Sequence, residues 1–294
     1  MYWSDNTIQI SKIGDKYYPE NLSKIKTPPQ QIYYRGNFDK SLFAKSIAIV
    51  GSRRITRYGK DVIDKFVSLF AANNVTTISG FMYGVDTQVH QKTVEYGGKT
   101  IAVFGCGLDV IYPQENDRLY TQILESGGAV ISEYEPKAKP HLWKFPQRNR
   151  IVAALASLGV LIIEAGEKSG SLITAKIAWQ EGKKVYAVPG NVTSSVSAGT
   201  NLLLKKGEAI FVTRAEDILG LKPKAESQNQ HPELSLLENK IFKVLKTEPL
   251  NADEIAAQID ESVVKVGTTL SIMGLKGLVI ESAGKFYLQK LLDR

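Results

Sequence analysis

Residue types that build disulfides and metal sites are scarce in this chain of 294 residues. Its single cysteine, Cys106, excludes an internal disulfide, as is usual for proteins of the reducing cytosol. The three histidines, His90, His141 and His231, are scattered, and Cys106 has no partner at metal-ligand spacing. The sequence therefore predicts neither a metal site nor a disulfide framework.

Long apolar runs are also missing. No uninterrupted apolar stretch is long enough to span a bilayer. The first ten residues, MYWSDNTIQI, have neither the basic flank nor the apolar segment of a secretory signal peptide. We therefore expect a cytoplasmic protein that has no membrane partner.

The glycine-rich motifs of nucleotide enzymes are absent as well. After the first apolar run the chain continues G-S-R-R from Gly51, where a dinucleotide site would need G-x-G-x-x-G. No G-x-x-x-x-G-K-[ST] motif occurs, and Ser171 does not lie in a G-x-S-x-G nucleophile pattern. The sequence predicts no catalytic residue and no cofactor, and we expect the protein not to be an enzyme.

What the chain does have is an excess of positive charge. Lys and Arg number 37 against 30 Asp and Glu, a net charge of +7 at pH 7. The stretch 236–294 holds eight basic and eight acidic residues, so the whole excess lies in the first 235 residues. A basic balance favours an anionic partner such as nucleic acid.

Apolar runs alternate with helical patterns over residues 41–220. This alternation predicts a parallel sheet with helices on both faces, an extended Rossmann-like α/β domain. Residues 1–40 are polar and rich in proline, and we interpret them as a lead-in of loops and turns. The expected strands are 46–50, 75–80, 99–105, 128–133, 158–165, 183–190 and 209–212.

The sequence pattern of the C-terminal part predicts a separate small domain. Residues 221–235 are polar and aperiodic, as in a linker. Residues 236–294 show three helical patterns and then a hairpin, the element order of a winged helix, with Asn251 or Asp253 as a helix cap. The expected recognition helix, roughly 263–275, offers Lys265 as its only cation, which favours protein contact or weak DNA binding.

Loops rich in glycine, serine and threonine follow five of the expected strands. In an open parallel sheet, ligands bind beyond the carboxyl ends of the strands, where backbone N–H groups at helix starts hold phosphate. Five such loops along one edge favour a polyanion over a single nucleotide. The loop residues selected as binding candidates are Ser52, Arg53, Arg54, Gly80, Gly84, Gly170, Ser171 and Thr174.

The segment 137–150, KAKPHLWKFPQRNR, interleaves five cations with Trp143 and Phe145 and contains no acid. Cations for phosphates together with aromatic faces for bases are typical of single-stranded nucleic-acid binding. The alternative is that both aromatic residues are core side chains and that the lysines form a solvated rim. The binding candidates of this segment are Lys144, Phe145, Arg148, Asn149 and Arg150.

The second half of this segment is expected to open a helix at Arg148, with Asn149 as its cap. Basic residues are unfavourable at a helix start, so an anion is expected there. Glu164 is expected to pair with Arg148 or Arg150, and Asp86 to cap a helix or orient an arginine; ion pairing is favoured over acid–base chemistry for such acids.

These motifs resemble the DNA-processing protein A family, also called DprA or Smf. The resemblance implies an extended Rossmann-like domain that binds single-stranded DNA, protects incoming strands in natural transformation and loads a RecA-type recombinase. It also implies a homodimer. The segments that carry it, in family order over about residues 17–220, are IAIVGSRRITRYG, ISGFMYGVDTQVH, GGKTIAVFGCGLDVIYPQEN, ISEYEP, FPQRNRIVAAL, LIIEAGEKSGSLITA and VYAVPGNVTSSVSAGTNLL.

The resemblance places the DNA pocket at the G-S-R loop and the F-P-x-R-N-R segment. The residues that match these motifs are Ser52, Arg53, Lys144, Phe145, Arg148 and Arg150. The chain departs from the family at Phe81, Met82 and Tyr83, where smaller or aliphatic residues are usual, and this change is expected to reshape the pocket wall.

Two other functions stay open at this point. One is a nucleotide-cleaving enzyme of a related Rossmann-like fold, although the loop AGEKSGSLITA lacks the catalytic glutamate that such enzymes carry after their glycine-rich motif. The other is a regulator that binds duplex DNA through the winged helix, which the neutral charge of that region disfavours.

Overall fold

A computed structural model describes residues 7–221, 234–282 and 284–288. The chain divides into two compact units, Met1–Lys222 and Pro223–Arg294. Most of the expected linker, 222–233, lies outside the described residues. In the described ranges, no helix combines the length and the apolar character that crossing a membrane requires.

The larger unit is built from strands and helices that alternate along the chain. Its strands are β1 (Gln9–Lys12), β2 (Gln31–Gly36), β3 (Ser46–Val50), β4 (Thr76–Ser79), β5 (Thr100–Val103), β6 (Ala129–Ser132), β7 (Val160–Ile162), β8 (Val185–Ala187) and β9 (Ile210–Phe211). Its helices are α1 (Glu20–Ser23), α2 (Ser41–Ala44), α3 (Arg57–Ala72), α4 (Val85–Glu95), α5 (Asp117–Glu125), α6 (Lys144–Leu155), α7 (Ser171–Gln180), α8 (Ala198–Lys205) and α9 (Glu216–Leu219), with a 3-10 turn at Gln114–Asn116.

The strands form one sheet in the order β1-β2-β6-β5-β4-β3-β7-β8-β9. Strands β3 to β9 run parallel, which confirms the Rossmann-like α/β prediction. The interpretation as loops and turns is wrong for residues 9–12 and 31–36, because β2 pairs antiparallel with β6, and β1 with β2. These short polar strands carry weak apolar periodicity; the edge of β6 supplies the hydrogen bonds that make β2 a strand, and β2 does the same for β1.

Strand β3 shows why the predicted apolar runs are continuous. All five of its residues are buried, because the sheet is covered on both faces. Ile47 and Ile49 pack with the α3 side chains, whereas Ala48 and Val50 pack with Ile151–Leu155 of α6. Burying side chains of this size contributes roughly 1.5–3 kcal/mol each, so packing holds α6 firmly against the sheet.

Helix α6 begins one turn earlier than predicted. It starts at Lys144 rather than Arg148, so Asn149 lies inside the helix and does not cap it. Pro146 is compatible with this earlier start, because a proline is tolerated in the first turn, where backbone N–H groups lack helical partners. The earlier start places Phe145 and Arg148 on successive turns.

The C-terminal unit contains α10 (Leu236–Leu245), α11 (Ala252–Ile259) and α12 (Val263–Leu275), then β10 (Val279–Ser282) and β11 (Lys285–Leu288), which pair antiparallel. Asn251 caps α11 by accepting a hydrogen bond from Glu254 N, which confirms one of the two predicted caps. Three helices followed by a hairpin is the expected element order; assignment as a winged helix stays a prediction.

Candidate nucleic-acid interface

A cleft of about 610 Å³ opens beyond the carboxyl ends of the parallel strands. Its walls come from the loops after β3, β4, β7 and β8 and from the start of α6, so four of the five selected loops meet at one place. The predicted residues that line it are Ser52, Arg53, Phe145, Arg148, Asn149, Gly170 and Ser171. Met82 and Tyr83 also line it, whereas Phe81 is buried and stacks on Phe104.

Arg148 lies at the floor of the cleft and is only 3% exposed. Its Nη1 donates a hydrogen bond to the carbonyl oxygen of Val103, and Nε has no partner among the described residues. Burial lowers the pKa of Arg148 and the charge of Asp86 opposes that shift. An arginine starts from so high a pKa that it stays cationic. A buried cation with an unpartnered donor is suited to bind an anion.

Asp86 lies in the first turn of α4, and its charge acts on Arg148. It accepts a hydrogen bond from Met82 N at 3.3 Å. Burial raises the pKa of Asp86, and Arg148 opposes the rise. Asp86 thus lies where its charge acts on Arg148, and the interpretation that it orients the arginine stays a prediction.

Gly80 and Gly84 support the cleft wall rather than line it. A Cβ atom at Gly80 would collide with the Asp86 carboxylate and the Arg148 guanidinium. Gly84 has φ +77°, and a Cβ there would collide with the backbone of Ser52 and Arg53. Because they lack a side chain, Gly80 lets Asp86 and Arg148 lie close to the loop after β4, and Gly84 does the same for the backbone of Ser52 and Arg53.

The rim of the cleft carries exposed cations. The guanidinium of Arg53 lies 5.8 Å from the centre of the Phe145 ring, which in turn packs 5.7 Å from the ring of Tyr112. Lys168, in the loop after β7, is exposed and also lines the cleft. Sequence reasoning missed Lys168, although it is the cation of a selected glycine-rich loop.

The loop after β3 is held by Ser52. Its Oγ donates to Arg54 O and accepts from Arg54 N, both at 3.0 Å. The Arg54 side chain is exposed and does not line the cleft. Ser52 therefore shapes the turn that presents Arg53.

Three other candidates do not line the cleft. Lys144 is buried, donates to Lys139 O at 2.8 Å and lies 4.6 Å above the Tyr134 ring. Arg150 forms a bidentate ion pair with Glu133 at 2.8 and 2.6 Å. Thr174 is buried within α7. Residues two apart on a helix point about 200° away from each other, so Arg148 and Arg150 face different surroundings.

The predicted pairing of Glu164 with an arginine of α6 is wrong. Glu164 is buried and accepts hydrogen bonds from Thr56 N at 3.0 Å and Thr56 Oγ1 at 2.5 Å, at the start of α3. It lines a separate hollow of about 520 Å³ beside Tyr58, whose hydroxyl donates to Pro189 O at 2.6 Å. The carboxylate therefore stabilises a helix start.

Comparison with known proteins identifies the family. The family model of DNA recombination-mediator protein A matches residues 9–222. DNA processing protein DprA of Streptococcus pneumoniae is 42% identical over 207 residues, covering 70% of this chain and 72% of that protein. Protein Smf of Escherichia coli is 38% identical over 69% of this chain, which spans only 54% of the Smf length.

Solved structures agree with this assignment and confirm the fold class. The DprA structure from S. pneumoniae aligns with a TM-score of 0.67 at 39% identity, covering 73% of this chain and 74% of that one. A DprA structure from Helicobacter pylori, described for its single-stranded DNA binding mode, aligns with a TM-score of 0.63 at 32% identity, covering 72% and 94%. The chain belongs to the DNA recombination-mediator protein A family.

Proposed function

We propose that this protein binds single-stranded DNA in the cleft between the β3 loop and α6. The observation that carries the proposal is the buried guanidinium of Arg148, whose described contacts use one hydrogen bond and leave Nε without a partner. A buried donor without a partner costs free energy that a bound phosphate oxygen would recover. The structure of the H. pylori relative, described for its single-stranded DNA binding mode, supports single-stranded DNA as the ligand.

The charges around Arg148 fit a phosphate backbone. Arg53 and Lys168 are exposed, line the cleft from the loops after the neighbouring strands β3 and β7, and would meet phosphates that flank the one bound by Arg148. Asp86 is the acid that lines the cleft, and it lies beside Arg148. Contacts with several phosphates make the affinity depend on salt.

The size of the cleft favours an unpaired strand. Phe145 is only 9% exposed, is packed against Tyr112 and carries the Arg53 guanidinium over its ring, so it holds Arg53 in place. A cleft of about 610 Å³ is of the size that ordinarily holds a small ligand, which suits one or two nucleotides better than a duplex.

Family membership supports the rest of the proposal. The protein protects incoming strands in natural transformation, loads a RecA-type recombinase onto them and acts as a cytoplasmic homodimer without catalysing a reaction. Residues 41–220, together with the edge strands β1 and β2 of the same sheet, form the DNA-binding domain, 221–235 the linker and 236–294 a winged-helix module. Lys144 and Arg150 contribute by positioning the start of α6, since their charged groups are already bound within the protein.

The test is fluorescence anisotropy of a labelled single strand and its matched duplex across a salt series. We expect the single strand to bind more tightly. Arg53→Ala should weaken binding roughly 5- to 150-fold and lower the salt slope by about 0.7, the contribution of one phosphate contact. Arg148→Met, which removes the charge and keeps most of the side-chain volume, should weaken it at least as much.

Arg54→Ala is the matched control, because it removes the same charge from an exposed neighbour that does not line the cleft. We expect it to change affinity much less than Arg53→Ala. Equal effects of the two substitutions, or equal affinity for single strand and duplex, would refute the proposal and direct attention to free nucleotides as ligands.

A further inference from the structure

A large aromatic side chain stands exposed next to the cleft. Trp143, immediately before α6, is 61% exposed. Its chain neighbour Leu142, 84% exposed, lines the cleft, as does Phe145. A single exposed apolar residue needs no explanation by itself, so the question is whether the indole is held in place and what surrounds it.

The indole is held by three neighbours. The Tyr134 ring packs edge-on at 6.2 Å between ring centres, and the His141 ring lies nearly parallel at 6.4 Å. Lys144 Nζ lies 5.7 Å from the indole and 4.6 Å from the Tyr134 ring. The same Nζ donates to Lys139 O, which ties the preceding loop to the start of α6. Trp143 is thus oriented before any ligand arrives, and this reduces the entropy lost on binding.

The charge around Trp143 favours a polyanion. Lys137 and Lys139 are exposed on the loop that leads to it, and residues 137–150 contain no acid. The nearest acids along the chain are Glu135, which is exposed, and Glu133, which is paired with Arg150. A protein partner recognised by apolar contact alone would not need cations beside the indole, whereas a polyanion would.

We infer that Trp143 is a stacking platform for a base of the single strand where it leaves the cleft, with phosphates following Lys137 and Lys139. The inference rests on the proposed function and adds a base subsite outside the cleft. Every base presents a π-face, so the platform accepts all four bases with little preference. Lys144 acts here as a positioning residue, because its charge is used to hold the loop and the two rings.

The experiment compares Trp143→Ala with Trp179→Ala, a matched control that removes an equally exposed indole, 65% exposed on α7 and outside the cleft lining. The probes are an oligothymidylate and an abasic single strand of equal length, which keeps the phosphates and lacks the bases. Trp143→Ala should bind oligothymidylate roughly 5- to 150-fold more weakly, as expected for one stacked base. Its affinity for the abasic strand and its salt slope should match wild type.

Trp143→Phe should retain most of the affinity, and Trp179→Ala should bind both probes as wild type does. Equal effects of the two alanine substitutions, or equal weakening of both probes by Trp143→Ala, would overturn the platform. The platform would also be overturned if Trp143→Ala bound the strand normally but no longer loaded the recombinase, because the indole would then contact a protein. A wild-type protein that binds neither probe would overturn the proposed function itself. If Arg53→Ala weakens single-strand binding and Trp143→Ala does not, only the platform is overturned.

Discussion

Gly80→Ala tests the arrangement at the cleft floor without changing any charge. The added methyl group would collide with the carboxylate of Asp86 and the guanidinium of Arg148. Both side chains are buried, so neither can swing into solvent without breaking its contacts. The substitution therefore forces Arg148 away from Val103 O or shifts the backbone after β4.

The magnitude follows from these two outcomes. Overpacking of a filled interior costs about 1–3 kcal/mol. Displacement of Arg148 instead breaks a hydrogen bond that involves a charged group, which costs about 1.5–3 kcal/mol. Either way we expect the free energy of unfolding to fall by about 1–3 kcal/mol. A misplaced Arg148 would also lose its proposed phosphate contact, so single-strand affinity should fall roughly 10- to 150-fold.

The assay is denaturant unfolding together with anisotropy of a labelled single strand at fixed salt. Gly170→Ala is the control, because Gly170 lines the same cleft, has φ −61° and has nothing within 4 Å of an added Cβ. We expect that variant to stay within about 0.5 kcal/mol of wild type. The reasoning is refuted if Gly80→Ala unfolds and binds like wild type.

Two further predictions concern buried groups near the cleft. Lys144→Met should weaken single-strand binding while leaving the salt slope unchanged, because Lys144 positions the loop; a slope lower by about 0.7 would instead indicate a direct phosphate contact. Burial lowers the pKa of His90 from 6.5 to about 4. The unfolded chain therefore binds more protons between these values, and stability should fall by up to about 3 kcal/mol as pH drops from 6.5 to 4. Denaturant unfolding at pH 7.5 to 4 measures this loss, and an equal loss in His90→Gln would contradict the assignment to His90.

Much of the large unit could be predicted from local pattern. The strands from Ser46 to Phe211 appear where apolar runs predict them, because a sheet covered on both faces needs continuously apolar strands. The loops at their carboxyl ends meet in one cleft for a topological reason, since parallel strands end on the same edge.

The edge strands could not be predicted in the same way. β1 and β2 are short and have one and two buried residues, so their periodicity is weak. β2 is a strand because β6 offers unpaired backbone groups more than ninety residues further along the chain, and β1 pairs in turn with β2. The start of α6 was misplaced for a local reason, because a proline in the first turn can stand on either side of a helix boundary.

The sequence by itself determined the family, the order of elements and the pool of cations from which the site is drawn, since these depend on motifs and on periodicity along the chain. Only the tertiary structure decided which cations face the cleft. Arg148 is directed to Val103 O and its Nε has no partner among the described residues, whereas Arg150, two residues away, is bound by Glu133 and Thr27 O. The direction of a side chain depends on its position around the helix and on partners distant in the chain. Neither can be predicted from a cluster of basic residues in the sequence.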